Sequence, residues 1–192
     1  MNSDIFNAAV LKHFNFLTID YGFSVVQKDS YQIRFESDQV FLSVYYDANR
    51  SYELDVEIGL LSALFNVNER SFNLGELLRT ENAIEGKQYR TFQVSSPDAI
   101  ERCVSKLATL VLLNAKDYLL GNKFSFKRIS DLRNSECTQL EMKRKLDDVR
   151  SEAQAAWQKK EYSKVVALYK PVEHMLSEVE RKKLVFAQRH SE

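Results

Sequence analysis

The sequence predicts an α+β protein: an antiparallel meander of four to five strands packed with helices, followed by a C-terminal helical hairpin. Residues 31–36 and 52–58 alternate polar and apolar side chains, which is typical of strands with one buried face. The links between the predicted strands are short, as antiparallel neighbours allow. From residue 135 onward, apolar side chains recur at helical spacing instead.

The first predicted element is an amphipathic helix. Asn2, Ser3 and Asp4 offer an N-cap, and apolar residues then recur every three or four positions until a turn at residues 20–22. Beyond this turn the period of the pattern changes to two. Four strands rich in aromatic and β-branched residues are predicted at 23–28, 31–36, 40–46 and 52–58.

The middle of the chain is predicted to return to helix. A short helix is expected over residues 71–79, and a fifth, shorter strand over residues 89–94. A long helix should begin after Ser96, because Pro97 is favoured in a first helical turn, and it should end at Gly121.

The last third of the chain is predicted to be helical throughout. Residues 124–129 are expected to form a short helical turn, and Pro171 should bend or stop the second helix that follows. We place a domain boundary near residue 133. Residues 1–133 then form the sheet domain, and residues 134–192 form a helical arm that either docks on it or stands apart.

Composition narrows the class of protein. The chain has 192 residues, 44% of them apolar, which is enough for a substantial core. Lys and Arg together number 27, as do Asp and Glu, and the short basic cluster at 143–145 is flanked by acids, so we expect no nucleic-acid partner. The N-terminus lacks a signal-peptide pattern and no apolar run would cross a bilayer, so we expect a cytoplasmic protein without a membrane partner.

The sequence lacks the motifs typical of catalytic, metal-binding and phosphate-binding sites. The two cysteines and three histidines match no metal-ligand spacing, and the glycines are too isolated for a phosphate loop. Neither a hydrolase nucleophile elbow nor a zinc-protease helix is present. We therefore predict no catalytic residue, no metal and no cofactor.

One face of the predicted sheet combines carboxylates, aromatic side chains and an arginine. It holds Arg34, Phe41, Tyr45, Glu53, Asp55 and Glu57. Three interpretations compete: a solvated face with charges paired across strands, a protein-binding surface, or a metal-dependent active site. The third is weakened because Gly59 stands where a nuclease-like signature would place a lysine.

The segment 153–190 places small and aromatic residues at helical spacing around a break at Lys160 and Glu161. It resembles a tetratricopeptide-type helical hairpin, which implies that Tyr162 packs between helices and that the arm binds rather than catalyses. The break has no glycine, although the family usually has one there, and valines replace small residues. A plain helical hairpin that caps the sheet is the alternative.

The stretches RFESDQVFLSVYYD (34–47) and RSYELDVEIG (50–59) are similar to segments of small uncharacterised bacterial proteins, some associated with toxin-immunity loci. This resemblance implies a bacterial binding protein and identifies no catalytic residue. We therefore expect a non-enzymatic module that binds another protein, such as an immunity-type inhibitor of a toxin. Phe41 and Tyr45 would anchor the partner, and the three acids would attract a basic site.

Two alternatives to this expectation stay open. One is an adaptor that binds through the helical arm, residues 134–192. The other is an acid-dependent metalloenzyme built on the carboxylates of the sheet.

Overall fold

The computed structural model describes residues 2–62 and 70–191. It confirms the α+β class, with an antiparallel sheet, accompanying helices, and two helices near the C-terminus, Tyr162–Tyr169 and Glu178–Arg189, that pack on each other. The chain divides into two compact units, Met1–Arg133 and Asn134–Glu192. In the described ranges, no helix is both long enough and apolar enough to cross a membrane.

The first unit contains one antiparallel sheet. Its strands are β1 (Ser24–Lys28), β2 (Gln32–Glu36), β3 (Val40–Tyr46), β4 (Glu53–Leu60), β5 (Phe72–Asn73) and β6 (Phe92–Gln93). Strands β1 to β4 pair in chain order, and β5 and β6 both pair with β4. The predicted meander is therefore confirmed. The fifth strand predicted at 89–94 is only two residues long, and β5 is a strand that the sequence pattern did not indicate.

Helices cover one face of this sheet and complete the core. They are α1 (Asn2–His13), α2 (Asn15–Tyr21), α3 (Leu74–Thr80), α4 (Pro97–Asn114), α5 (Lys116–Leu119) and the start of α6 (Lys123–Gln158). The two longer helices α1 and α4 pack against each other, and α4 also contacts β4. Inward-facing strand residues such as Ile33, Leu42 and Val56 join them in one apolar cluster, whose burial drives the fold.

Three helical predictions need correction. The first predicted helix, expected to run unbroken to the turn at 20–22, is divided at Phe14 into α1 and α2. The helix that begins at Pro97 ends at Asn114, and a break at Ala115 separates it from the short α5. The turn predicted over 124–129 is instead part of α6, which continues without interruption from Lys123 to Gln158. Apolar spacing alone did not reveal this continuity, because most of the helix is polar and exposed.

Arg133 on α6 fixes the start of α3. Its Nε and Nη2 donate to the two carboxylate oxygens of Glu76 at 2.6 and 2.7 Å. The same guanidinium donates to the carbonyl oxygens of Arg70 and Ser71 and lies 4.1 Å from the ring centroid of Phe72. A planar, always-charged fork suits this many acceptors, so we interpret Arg133 as a structural residue.

The second unit contains the rest of α6, then α7 (Tyr162–Tyr169), a 3-10 helix (Lys170–Met175) and α8 (Glu178–Arg189). Small and apolar side chains of the three α-helices form a separate core, which includes Ala153, Ala156, Val165 and Leu184. Helix α7 ends just before Pro171, as the sequence predicts, because proline lacks the backbone N–H that would continue the ladder.

The link between α6 and α7 is a Schellman motif without glycine. Lys160 adopts a left-handed backbone with φ of 59°. Its N–H donates to the carbonyl of Trp157 at 3.0 Å, and the N–H of Glu161 donates to that of Ala156 at 2.9 Å. These two bonds satisfy carbonyls that the end of a helix leaves open, at the cost of strain at Lys160.

Candidate functional site

The second face of the sheet, which we call the polar face, carries all six residues that the sequence singled out. In the β3–β4 ladder Tyr45 lies opposite Asp55, and Ser43 lies opposite Glu57. In the β2–β3 ladder Arg34 lies opposite Ser43. Because side chains alternate along a strand, this register places Arg34, Tyr45, Asp55 and their alternate neighbours on one side. The six residues therefore share a face, as the alternation predicts.

Phe41 is a packing residue of this face. Its side chain is only 5% exposed. The guanidinium carbon of Arg34 lies 3.9 Å from the ring centroid, and Nε of Arg34 donates to Glu36 at 2.7 Å. On the neighbouring strand a Cβ added at Gly59 would come within 2.7 Å of the ring. Phe41 thus fills the space that this glycine leaves, and its ring is not available to a partner in this conformation.

Asp55 is the centre of a buried polar network. It is 1% exposed. Its Oδ1 accepts hydrogen bonds from the hydroxyl of Tyr89 at 2.6 Å and from the N–H of Val56 at 2.8 Å, and Oδ2 accepts from Thr91 at 2.9 Å. Both carboxylate oxygens therefore have donors, which offsets part of the cost of burying them.

Burial also sets the protonation of this network. It raises the pKa of Asp55 above its usual value of 3.8, against the three donors that favour the anion. Burial, followed by the charge of Asp55, raises the pKa of Tyr89. The pKa of Tyr45 is likewise raised, first by burial and then by the nearby charges of Asp55, Glu57 and Glu53. Both phenols are therefore neutral at physiological pH, and that of Tyr89 donates to Asp55.

Tyr89 and Thr91 are the residues of this site that the sequence analysis missed as partners of Asp55. They lie 34 and 36 positions away from it in the chain. Their only signal is the alternation within the predicted strand 89–94, which places both on one side. The alternation does not say against which strand they fold.

The remaining acids of the polar face are more accessible. Glu53 is exposed, and Glu57 is half-buried and accepts a hydrogen bond from the hydroxyl of Ser71 at 2.7 Å. Tyr45 is half-buried. The accessible part of the predicted surface is therefore Arg34, Tyr45, Glu53 and Glu57, while Phe41 and Asp55 lie beneath it.

An open cleft of about 790 Å³ lies beside β4 and β6. Carboxylates of Glu53 and Glu85 line it together with Arg90 and Lys106. The buried network reaches the cleft through Tyr89 and Thr91, which also line it. The cleft is therefore a polar, charge-rich surface supported by an internally bonded floor, which suits recognition by a polar or charged partner group.

The donor set at the polar face does not resemble a metal site. Asp55 directs both oxygens to hydroxyl and amide donors. In the parts of the chain that the structure describes, no cluster of three or more His, Cys, Asp or Glu side chains could hold a metal ion.

Comparison of the chain with protein-family models, with curated proteins and with solved structures finds no match.

Proposed function

We propose that this protein is a non-enzymatic protein-interaction module that binds its partner at the cleft beside β4 and β6. The specific form of this function that we put forward is inhibition of a bacterial toxin by an immunity-type mechanism. In this mechanism the module covers a basic site of the toxin and acts by steric and electrostatic masking.

The observation that carries the proposal is the buried network beneath the cleft. Tyr89 and Thr91 are each held by Asp55 through hydrogen bonds of 2.6 and 2.9 Å. A surface that is already ordered loses little conformational entropy on binding, so more of the interaction energy appears as affinity. This role assigns Asp55 and Phe41 to support of the surface and leaves direct contact to the accessible side chains.

Charge at the rim indicates the kind of partner. Glu53 and Glu85 line the cleft, where Arg90 and Lys106 offset their charge, and Glu57 on the adjoining polar face adds a further carboxylate. Carboxylates at a rim attract a basic partner and raise the rate of association, and this effect weakens with added salt. A lysine or arginine side chain of the partner would enter the cleft between these acids.

The proposal is tested by affinity capture followed by binding measurements. The full chain is used to capture partners from the lysate and the secreted fraction of the source cell, and mass spectrometry identifies the proteins retained. We expect one stoichiometric partner with a basic surface. Its affinity for the full chain should fall about tenfold or more in the double variant Glu53→Lys, Glu85→Lys, because charge at an interface is reversed.

A matched control separates this surface from general charge effects. Glu152 is exposed on α6 in the second unit, and Glu152→Lys changes charge in the unit that does not contain the cleft. We expect its affinity for the captured partner to match that of the unmodified chain. Recovery of no stoichiometric partner, or equal affinities for the cleft variant and the unmodified chain, would contradict the proposal.

A further inference from the structure

The C-terminal unit carries a second surface, on the outer face of α8. This face consists of Glu178, Arg181, Lys182, Val185, Phe186 and Arg189, which line a shallow cleft of about 390 Å³. Val185 is 46% exposed and Phe186 is 42% exposed, whereas Leu184 and Ala187 of the same helix are buried in the core of the unit. The helix therefore buries one apolar stripe and leaves a second one open.

Phe186 is exposed and yet held in place. Its ring centroid lies 5.4 Å from that of Trp157 and 5.6 Å from that of Tyr162, in edge-to-face contacts. On another side the imidazole of His190 stacks on it at 4.0 Å. The Nδ1 of His190 lies 2.8 Å from the carbonyl oxygen of Phe186, which can only accept a hydrogen bond. These contacts restrict the ring to one orientation, so little entropy remains to be lost when a partner covers it.

The charge of this face is positive. From Arg181 to His190 the chain has four Lys and Arg residues and no acid. Of the two acids earlier in α8, Glu178 pairs with Lys182 at 3.0 Å, and Glu180 pairs with Arg150 on α6 at 2.7 Å. Within residues 2–62 and 70–191, neither Arg181 nor Arg189 has a carboxylate oxygen within 4.0 Å, although the charge of Arg181 contributes to the lowered pKa of Glu173. An aromatic anchor between two arginines is the composition typical of binding hot spots.

We infer that the outer face of α8 binds an acidic segment of a partner protein. An apolar side chain of this segment covers Val185 and Phe186, and its carboxylates contact Arg181 and Arg189. Charge complementarity selects the acidic partner, and the guanidinium groups favour carboxylates because they bind them in a bidentate manner. This surface gives the adaptor alternative a defined binding site, and it is independent of the cleft on the sheet.

A protein segment fits this face better than a lipid surface does. A helix that lies in a bilayer interface inserts a broad apolar face, but here the buried stripe of α8 is committed to the core. The open stripe is narrow, and its largest side chain is fixed by neighbouring rings. A second copy of the chain is formally neutral as a whole, and the acids that line its own cleft, Glu53 and Glu85, are accompanied there by Arg90 and Lys106.

The chain contains its own reporter for this inference. Trp157 is the only tryptophan, and it contacts Phe186 directly. A synthetic peptide with Glu, Leu and Phe at helical spacing and no tryptophan is titrated into the full chain while Trp157 fluorescence is recorded. We expect saturable binding that changes the fluorescence and weakens with salt. A peptide with Gln in place of every Glu should bind more weakly by a factor of about ten or more.

Two charge variants locate the site. Arg181→Glu with Arg189→Glu should weaken binding of the acidic peptide about tenfold or more. The matched pair Lys143→Glu with Lys145→Glu reverses two exposed cations on α6 and should leave the affinity within about twofold. Equal effects of the two pairs, binding without a change in Trp157 fluorescence, or no binding would each overturn the inference.

Two further measurements test whether a lipid surface or a second copy of the chain binds the outer face of α8 instead. Vesicles of phosphatidylserine and phosphatidylcholine are sedimented with the full chain, and its mass in solution is measured by ultracentrifugation. We expect no co-sedimentation and no self-association that depends on Arg181 and Arg189. Vesicle binding or a dimer that the α8 variant abolishes would assign the face to lipid or to a second copy and overturn the inference.

Discussion

The polar face of the sheet and the outer face of α8 have similar compositions but differ in how far their aromatic and charged side chains are exposed. Both combine aromatic side chains with charged ones. On the sheet, Phe41 and Asp55 are 5% and 1% exposed. The guanidinium of Arg34 packs on the ring of Phe41, and the hydroxyl of Tyr89 donates to Asp55. On α8, Phe186 remains 42% exposed. Composition therefore identifies a surface with special chemistry, and burial decides whether it serves stability or binding.

The difference arises from what covers each surface. On the polar face, Asp55 is covered by Tyr89 and Thr91, which come from a segment more than 30 positions later in the chain. The open stripe of α8 contacts Trp157 and Tyr162 at its edges, and His190 stacks on Phe186, yet Phe186 and Val185 remain 42% and 46% exposed. Coverage by a segment that is distant in the sequence therefore distinguishes the buried network around Asp55 from the accessible outer face of α8.

The largest effect that we predict comes from breaking the buried network. Asp55→Ala removes the acceptor for Tyr89 and Thr91 and leaves two hydroxyl groups without a partner. We expect the free energy of unfolding to fall by about 3 kcal/mol. Urea denaturation followed by circular dichroism measures this change. The exposed neighbour provides the control: Glu53→Ala should change the free energy by less than about 0.5 kcal/mol. Similar losses for both variants would mean that Asp55 is no more important than a surface acid.

The same carboxylate should make stability depend on pH. Its pKa is raised in the folded protein from the unfolded value of 3.8, mainly by burial. Its stabilising contribution is then fully present below pH 3.8 and is lost as the pH rises through the folded pKa. Asp55→Asn cannot titrate. The unfolding free energy of the unmodified chain minus that of this variant should therefore decrease as the pH rises. An increase would show that the three donors outweigh burial.

A smaller loss is expected where Phe41 packs on Gly59. Gly59→Ala places a methyl group where the ring now lies, 2.7 Å from its nearest atoms. We expect a loss of about 1.5 kcal/mol in the free energy of unfolding, because the ring is held from its other side by Arg34. The double variant with Phe41→Leu tests the cause, since the contact is removed and the cost of the alanine should shrink. An unchanged cost in that background would assign it to the backbone instead.

Much of the fold could be predicted because its signals are local. Strand β3 was predicted with the observed bounds, since aromatic and β-branched residues are concentrated there between two turns. The shared face of Arg34, Tyr45 and Asp55 follows from alternation alone. The break before α7 was also visible in the sequence, at Lys160 and Glu161.

The remaining features depend on contacts that no local pattern contains. Strand β5 is defined by its pairing with β4, and its two residues are too few for a period, whereas β6 lies inside the strand predicted at 89–94 but is only two residues long. Burial of Asp55 depends on Tyr89, and burial of Phe41 depends on the absence of a side chain at Gly59. The exposure of Phe186 was equally hidden, because an apolar residue at helical spacing is usually part of the core.

Removing the ion pair between Glu180 and Arg150 in the second unit should lower the free energy of unfolding by less than Gly59→Ala does. Glu180 bonds Arg150 and also caps α8 through the N–H of Ser177. The ion pair with Arg150 lowers the pKa of Glu180 to about 2. This contribution is present above the unfolded value of 4.5 and is lost as the pH falls towards 2. Glu180→Gln should lose about 1 kcal/mol at neutral pH, measured by urea denaturation with Trp157 fluorescence.

Unfolding measured at acid pH tests the contribution of the ion pair between Glu180 and Arg150. Below pH 4.5 the unmodified chain and Glu180→Gln should converge in stability, because protonation removes the charge from Glu180. Glu178→Gln is the control, since Glu178 is exposed and forms only a surface pair with Lys182. Parallel curves that never converge would show that the amide disturbs the cap rather than the ion pair.

The smallest predicted effect is a gain, at the strained turn between α6 and α7. Lys160 has a left-handed backbone, which costs a residue with a Cβ about 1–2 kcal/mol. Glycine removes this cost but loses more entropy on folding, so Lys160→Gly should raise the free energy of unfolding by about 0.5 kcal/mol. Lys160→Ala removes the same charge and keeps the Cβ, so it should produce no gain. If both variants stabilise the unit equally, the charge of Lys160 and not its backbone is unfavourable. If only glycine does, this unit folds around a turn for which its sequence is not optimal, whereas its exposed aromatic and basic groups keep a composition suited to binding.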